Sequence, residues 1–352
     1  MLLPLLLAGL LGVSEGPAGA PSSPLVQGAL AHVCRRLQEG RNPFFGRAVM
    51  AELREQLAAL PPFDVATRLR LQVRLAEEKF RLGDVPEAVR GIEEVLAFAE
   101  REGLNSDLRL DLLSRLAVFR MRLAENENCV LRHTAASCIF PVAGEGIHSV
   151  PAPARLAGDQ FLRVLAERPG DVTARWLLNL ARMTSGDFPK GVPERFRLPP
   201  RALESEAPFP RWRDIAPELG LDVWDLAGGA VMDDLDGDGL LDVVTSTMDP
   251  CGSLKAFRND GQGGFENVTQ AWGLDGQLGG LYLVQADFDN DGMLDLLVAR
   301  GGWMGTDGRV RNSLLRNDLR RPERRFTDVT AAAGIAYPAY PMQAAAWADF
   351  DG

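Results

Sequence analysis

The sequence predicts a multidomain protein in which an α-helical half is followed by a β half. Two observations support this fold class. Apolar residues recur at helical spacing between about residues 26 and 197, whereas short strand-like runs alternate with turns from Trp212 onward. The second observation is an internal repeat that begins at Trp212 and keeps its spacing through three copies. A chain of 352 residues is long enough for two or three such domains.

The first 20 residues have the features of a secretory signal peptide. The apolar run Leu2–Val13 is too short to span a bilayer, and Ala18-Gly19-Ala20 has the small residues of a cleavage site. A basic residue before the apolar run is missing, so an apolar start to the first helix is the alternative. We expect export to the periplasm, the cell surface or the medium. No later stretch is apolar enough to cross a membrane.

The composition excludes some classes of partner. Apolar residues make up 46% of the chain, which is enough to build cores. The net charge is −10 and the isoelectric point is about 5.0, which argues against nucleic acid because phosphate backbones require a basic surface.

Residues 21–197 are predicted to form a helical domain. A first helix ends near Phe80, the turn Leu82-Gly83-Asp84 follows, and a second helix begins near Pro86. This helix-turn-helix resembles one tetratricopeptide unit, and a second resemblance surrounds Trp176. One helix pair cannot bury its apolar face alone, so stacked pairs are expected. An ordinary helical bundle is the alternative.

Two cysteines and two histidines lie close together in the middle of this domain: Cys129, His133, Cys138 and His148. In an exported protein, Cys129 and Cys138 are candidates for a disulfide because they are close in sequence. The same residues could instead bind zinc, copper or haem iron, although no C-x-x-C-H haem attachment sequence is present. Free thiols are the third possibility.

A proline-rich linker is predicted over residues 198–211, and the repeats are predicted over 212–352. In each copy an aromatic residue precedes a glycine by eight positions: Trp212 and Gly220, Phe265 and Gly273, Phe326 and Gly334. Four strand-like runs fall in the first period: Gly229–Met232, Leu241–Thr245, Leu254–Arg258 and Phe265–Thr269. Four short antiparallel strands per period predict the blades of a β-propeller, here about two blades and the start of a third.

An acidic loop with the pattern D-x-D-x-D-G-x-x-D lies in the first two repeats, at Asp234–Asp242 and Asp287–Asp295, and begins a third time at Asp349-Phe350-Asp351-Gly352. Carboxylates at positions one, three, five and nine and a backbone carbonyl at position seven would surround a hard cation, Ca²⁺ or Mg²⁺, with oxygen. The candidate ligands are Asp234, Asp236, Asp238, Leu240, Asp242, Asp287, Asp289, Asp291, Met293, Asp295, Asp349 and Asp351. An EF-hand is disfavoured because strand residues follow each loop and no Glu occupies position twelve. Acidic solvated turns without a cation are the alternative.

These loops, together with Arg258-Asn259-Asp260-Gly261 and Phe265-x-Asn267-Val268-Thr269, resemble the FG-GAP and VCBS repeats of integrin-α-like propellers. The chain is also similar to bacterial proteins of the cartilage-acidic-protein group, which often end in an ASPIC/UnbV domain. The motifs that carry this resemblance precede the repeats in the helical half: Asn128-Cys129, Cys138-Ile139-Phe140-Pro141 and Ala174-Arg175-Trp176-Leu177-Leu178-Asn179. The resemblance implies calcium between the first two strands of each blade, held by the aspartates named above. It also implies further blades, so the chain is expected to be truncated at its C-terminus. Asn290 departs from the pattern at a non-ligand position where the first copy has Gly237.

The predicted function is an exported, non-catalytic calcium-binding protein that mediates protein or glycan interaction through its propeller and helical repeats. No G-x-S-x-G or H-E-x-x-H motif is present, and the loop carboxylates are needed by the cation, so no enzyme is predicted. One alternative is a redox or metal-dependent enzyme that uses the Cys129–His148 segment on a propeller scaffold. Another is a helical adaptor for which the propeller is a spacer.

Overall fold

The computed structural model describes residues 24–137, 139–204, 207, 212–223 and 225–350. The predicted signal peptide, part of the predicted linker, Cys138 and Asp351 lie outside these residues. The α-helices are α1 (Pro24–Glu39), α2 (Ala48–Ala59), α3 (Val65–Arg81), α4 (Val85–Arg101), α5 (Ser106–Glu125), α6 (Ala152–Glu167), α7 (Val172–Thr184) and α8 (Ala216–Leu219). The strands are β1 (Ala230–Asp233), β2 (Asp242–Thr245), β3 (Lys255–Asn259), β4 (Phe265–Asn267), β5 (Tyr282–Ala286), β6 (Asp295–Ala299), β7 (Ser313–Asn317) and β8 (Phe326–Asp328).

The chain forms two compact units, which we call the helical unit and the β unit. The helical unit comprises Pro43–Pro217, and the β unit combines the chain up to Asn42 with Glu218 onward. The fold is therefore a mixture of helices and antiparallel sheets, as predicted. Within the described residues, no helix combines the length and the apolar character that a membrane span requires.

In the helical unit, each helix from α2 to α7 packs against the next one along the chain. The side-chain oxygens of Asp64 and Asp171 accept hydrogen bonds from the backbone of Thr67 (3.1 Å) and Ala174 (2.9 Å), which caps the first turns of α3 and α7. The core is formed by apolar faces of α4 to α7, with Ile92, Leu113 and Phe161 buried. The predicted helix-turn-helix is confirmed as α3 and α4, while its likeness to a tetratricopeptide unit stays a prediction.

The β unit contains two four-stranded antiparallel sheets, in the orders β1-β2-β3-β4 and β5-β6-β7-β8. The four strand runs predicted for the first repeat are confirmed as β1 to β4, with ends that differ by one or two residues. One apolar core joins the two sheets, and it includes Leu235, Trp272 and Phe326. The backbone N–H of Phe326 also donates to the carbonyl of Trp272 at 2.9 Å, so the repeat aromatic of one sheet fastens it to the other.

Helix α1 belongs to the β unit, although the sequence placed it in a helical domain that began at residue 21. Its Leu30 and Leu37 are buried in a cluster with Met304 and Val310. A disulfide joins Cys34 of α1 to Cys251, across 217 residues of sequence. The sequence does not predict this pair, because the proximity of the two cysteines depends on long-range packing. Since Cys138 lies outside the described residues, the Cys129–Cys138 pair stays a prediction.

The repeated Phe-x-[Asn/Asp]-Val-Thr segment completes each sheet through its threonine. Thr269 Oγ1 accepts the backbone N–H of Ala256 at 2.9 Å, and Thr330 Oγ1 accepts that of Leu314 at 2.8 Å. Ala256 and Leu314 are buried on the third strands of the two sheets. The hydroxyl therefore replaces a backbone acceptor at the place where the fourth strand ends.

We expect Thr330→Val to lower the free energy of unfolding of the β unit by about 2 kcal/mol. Valine preserves the shape of threonine but leaves the buried Leu314 N–H without an acceptor, which costs roughly 1–3 kcal/mol. Chemical denaturation followed by tryptophan fluorescence would measure the change. Thr269→Val should cost a similar amount at the equivalent position, and two variants as stable as the parent protein would contradict this role for the hydroxyl.

Candidate metal centres

Each acidic loop connects the first strand of its sheet to the second. The first loop follows β1 and ends where Asp242 opens β2, and the second follows β5 and ends where Asp295 opens β6. Asp242 pairs in register with Asp233, and Asp295 pairs with Ala286, so both loops are closed at equivalent points of the two sheets. The sequence repeat is thus reproduced as a structural repeat.

Three carboxylates converge in each loop. Asp234, Asp236 and Asp242 each place an oxygen within 4.8 Å of the others, and Asp287, Asp289 and Asp295 do the same in the second loop. Asp242 and Asp295 are fully buried, whereas the other members of both groups are partly or fully exposed. Such a group of closely spaced oxygens fits a hard divalent cation that is reached from solvent.

The first aspartate of each loop organises the turn around it. Asp234 accepts backbone hydrogen bonds from Gly237 (2.8 Å) and Gly239 (3.0 Å), and Asp287 accepts them from Asp291 (3.0 Å) and Gly292 (2.9 Å). Gly239 and Gly292 have φ of +88° and +84°, a conformation that a side chain would strain. These glycines, at position six of each loop, therefore provide the backbone conformation of the sharp turn.

The departure from the pattern at Asn290 has a simple structural basis. Asn290 has φ +60° and the equivalent Gly237 has φ +75°, so both positions adopt the left-handed conformation. Asparagine is among the residues that adopt it at low cost. The backbone path of the second loop is therefore preserved without the glycine.

The last aspartate of each loop ties it to the third strand. Asp242 accepts the N–H groups of Leu235 (3.2 Å) and Asn259 (3.0 Å). Asp295 accepts those of Phe288 (3.0 Å) and Asn317 (2.7 Å). These bonds fix the position of the one buried carboxylate in each group.

Burial makes these carboxylates costly to ionise when no cation is present. Burial, with smaller contributions from the charges of Asp289 and Asp291, raises the pKa of Asp295 to about 7 against the lowering effect of its two backbone donors. Burial also raises the pKa of Asp242, with a further contribution from Asp236. The pKa of Asp289 is raised by burial and by Asp291. A bound cation would compensate these buried negative charges.

The aspartate at position five lies outside both convergent groups. Arg258 Nη2 is 2.9 Å from Asp238 Oδ2, and Arg258 Nε is 2.6 Å from Asp236 Oδ2. In the second loop, Arg321 Nη2 is 2.8 Å from Asp291 Oδ2. Arginines therefore neutralise part of the acidic charge.

Among the remaining predicted ligands, Asp349 is not brought to either group of carboxylates. The backbone carbonyls of Leu240 and Met293 stay predicted ligands, as do Asp238 and Asp291, and Asp351 lies outside the described residues.

The first loop is also held by the second sheet, which the sequence did not indicate. Arg320, in the turn between β7 and β8, donates to the carbonyls of Asp236 (3.2 Å) and Gly237 (2.7 Å). Asn317 Nδ2 donates to the Leu235 carbonyl at 2.8 Å. Because Asn317 also donates its backbone N–H to Asp295, this one residue links the two acidic loops.

The Cys–His segment of the helical unit forms a separate polar cluster. Cys129 lies in a π-helical turn, Asn126–Val130, and its Sγ is 3.7 Å from His148 Nε2. Burial lowers the pKa of His148. His133 Nε2 instead lies 2.9 Å from Asp214 Oδ2. The structure thus brings together Cys129 and His148, and it directs the His133 imidazole to a carboxylate.

Comparison with known families gives a match to part of the β unit. Residues 234–298 match the model of an FG-GAP-like repeat. The matched segment begins at the first aspartate of the first acidic loop and ends within β6, so it contains both convergent groups and the whole of β2 to β5. A search of curated proteins found no match. The chain therefore contains an FG-GAP-like repeat of the kind that its acidic loops predicted.

Proposed function

We propose that this protein is an exported, non-catalytic calcium-binding protein that mediates interaction with a protein or glycan. The proposal rests on two equivalent groups of three aspartates. Each group lies at the loop between the first two strands of a sheet and contains one fully buried aspartate. Two sites with the same architecture in successive repeats support one shared function. The Cys34–Cys251 disulfide supports export, because such bonds persist in oxidising compartments.

Ca²⁺ is the cation that we assign to both sites, with Mg²⁺ as the alternative. Calcium accepts six to eight oxygen ligands in flexible geometry, whereas magnesium demands a near-ideal octahedron and retains water. Three convergent carboxylates per loop suit the more permissive ion. In this role the cation would hold the loop between the first two strands closed and stabilise the folded β unit.

We further propose that the two sheets are blades of a β-propeller related to the bacterial cartilage-acidic-protein group. The contact between β1 and β5, the first strands of the two sheets, supports this arrangement. Gly229 lies so near β5 that a Cβ there would be 2.4 Å from the backbone nitrogen of Leu283. Propellers place blades side by side around an axis and expose loops for binding. An FG-GAP-like repeat is consistent with an interaction domain of this kind.

Calorimetry on the whole chain tests the calcium assignment. We expect two bound Ca²⁺ with dissociation constants of about 10⁻⁴–10⁻³ M, the range of extracellular modules. At 1 mM free Ca²⁺ each site would then stabilise the β unit by about 0.4–1.4 kcal/mol. Asp236→Ala together with Asp289→Ala should abolish both the binding heat and the calcium-dependent rise in melting temperature.

Asp275→Ala is the matched control, because Asp275 is exposed in the β unit and lies outside both carboxylate groups. It should bind calcium like the parent protein. A parent protein that shows no calcium heat and whose melting temperature does not change with EDTA would overturn the proposal. Binding of Mg²⁺ in preference to Ca²⁺ would replace the assigned ion.

A second candidate function has one observation in its favour, the 3.7 Å contact between Cys129 Sγ and His148 Nε2. Thiolate and imidazole are ligands for zinc and copper, so a redox or metal-dependent enzyme could use this segment. Elemental analysis of protein prepared in an oxidising compartment tests it. A stoichiometric transition metal that Cys129→Ser removes would support this function, and a mapped Cys129–Cys138 disulfide without metal would exclude it.

A further inference from the structure

A long groove lies on the helical unit between α3 and α5, with α4 and the segment that follows it as its floor. Its volume is about 690 Å³, within the range of ligand-binding sites. We call it the α3–α5 groove. It is lined by Val65, Ala66, Leu69, Arg70, Val73, Arg74 and Glu77 of α3, by Val95 and Leu104 at its floor, and by Leu108, Asp111, Leu112 and Arg115 of α5.

The shape of the groove indicates an elongated ligand. The lining residues of α3 follow one face of the helix from Val65 to Glu77, which at 1.5 Å per residue is a length of about 18 Å. Val65 and Leu108 are each 41% exposed, and Val95 and Leu112 below them are buried. An apolar floor with exposed apolar rims on facing helices is the form in which an amphipathic helix is bound.

The charges around the groove indicate an acidic ligand. Arg115 is paired with Glu77, and Asp111 with Arg168, so both lining carboxylates already have a guanidinium partner. Among the described residues, Arg70 and Arg74 make no ion pair with a carboxylate, and Arg70 donates only to Thr67 Oγ1, at 3.0 Å. Like charges four residues apart on a helix repel each other. In a protein with a net charge of −10, these two arginines leave the groove with unpaired positive charge.

We propose that the α3–α5 groove binds an acidic amphipathic segment of a partner protein. Apolar side chains of the segment, spaced three and four residues apart, would contact Leu69, Val73 and Leu104, the partly exposed apolar residues of the groove. Carboxylates on its flank would pair with Arg70 and Arg74. The inference extends the interaction role proposed above by naming a binding surface and a partner class. It does not depend on the calcium sites, which belong to the other compact unit.

Selection from a displayed library of random 12-residue peptides, with the whole chain as bait, tests the proposal. We expect the enriched peptides to be acidic and to carry apolar residues at positions i, i+3 or i+4, and i+7. Arg70→Glu combined with Arg74→Glu should weaken binding of an enriched peptide by at least tenfold and should shift a new selection toward basic peptides. Leu108→Ser should also weaken binding, because it removes one apolar rim.

Arg54→Glu combined with Arg201→Glu is the matched control, since both arginines are exposed, lie outside the groove and change the net charge equally. It should leave the peptide affinity unchanged. Circular dichroism melting would establish that every variant is folded. Enrichment without acidic bias, or an affinity that the Arg70 and Arg74 changes do not alter, would overturn the proposal. Peptide binding in EDTA should equal that in calcium, so the outcomes for the groove and for the cation sites are separable.

Discussion

Replacing Cys34 and Cys251 with serine should lower the free energy of unfolding of the β unit by up to about 5 kcal/mol. The disulfide closes a loop of 217 residues. Loop-closure entropy predicts that a disulfide stabilises the folded state more when it closes a longer loop, so this stabilisation is expected at the upper end of the usual range. Without it, α1 would remain attached by the small cluster that contains Leu30 and Leu37 and by the ion pair between Arg36 and Asp307. Denaturant unfolding, followed by tryptophan fluorescence before and after reduction, would measure the loss.

Cys129→Ser provides the control, because Cys129 belongs to the helical unit and not to this cross-link. It should leave the stability of the β unit unchanged, and the reduced parent protein should resemble the double serine variant. Peptide mapping of the oxidised protein should recover Cys34 linked to Cys251. If the double variant unfolded at the same denaturant concentration as the oxidised parent, the disulfide would have no part in holding α1 in the β unit.

In the absence of divalent cations, the β unit should lose about 3 kcal/mol of stability between pH 5 and pH 8. The pKa of Asp295 is about 7 in the folded protein, and that of an aspartate in an unfolded chain is about 3.9. The folded state therefore retains the proton where the unfolded state has released it. This stabilisation is complete below pH 4 and is lost as the pH rises through 7. The raised pKa values of Asp242 and Asp289 act in the same direction.

Calcium should reverse this pH dependence, because the cation binds ionised carboxylates and competes with protons. Urea unfolding at several pH values, in EDTA and in calcium, would measure both slopes. Asp295→Asn should flatten the slope in EDTA, while the exposed Asp275→Asn should not. A β unit in EDTA that became more stable from pH 5 to pH 8 would contradict the burial argument for Asp295.

The acidic loops could be predicted because their chemistry is local. Nine consecutive residues contain the turn glycine and the aspartates, so Asp234, Asp236 and Asp242 could be expected to converge before any tertiary contact was known. The strands could be predicted for the same reason, since alternation and turn residues act over a few positions. Helices α3 and α4 followed from apolar spacing on either side of one turn.

The arginines that contact the loops could not be predicted from the loop residues. Arg258 pairs with Asp236 and Asp238, and Arg321 pairs with Asp291. Arg258 lies on β3 and Arg321 lies beyond β7, so only the folded sheets bring these guanidinium groups to the loops. The contacts of Arg320 and Asn317 with the first loop likewise join segments more than 80 residues apart.

The sequence by itself determined the helical and β halves, the repeat, the strands of its first copy and the aspartates of both loops. Each of these depends on residues within a few turns or one hairpin of each other. Only the tertiary structure decided that α1 joins the β unit and that Cys34 pairs with Cys251. It also decided that α3 and α5 enclose a groove with two arginines that pair with no carboxylate in the described part of the chain. Those features arise from contacts between distant segments, and spacing along the chain carries no information about which distant surfaces meet.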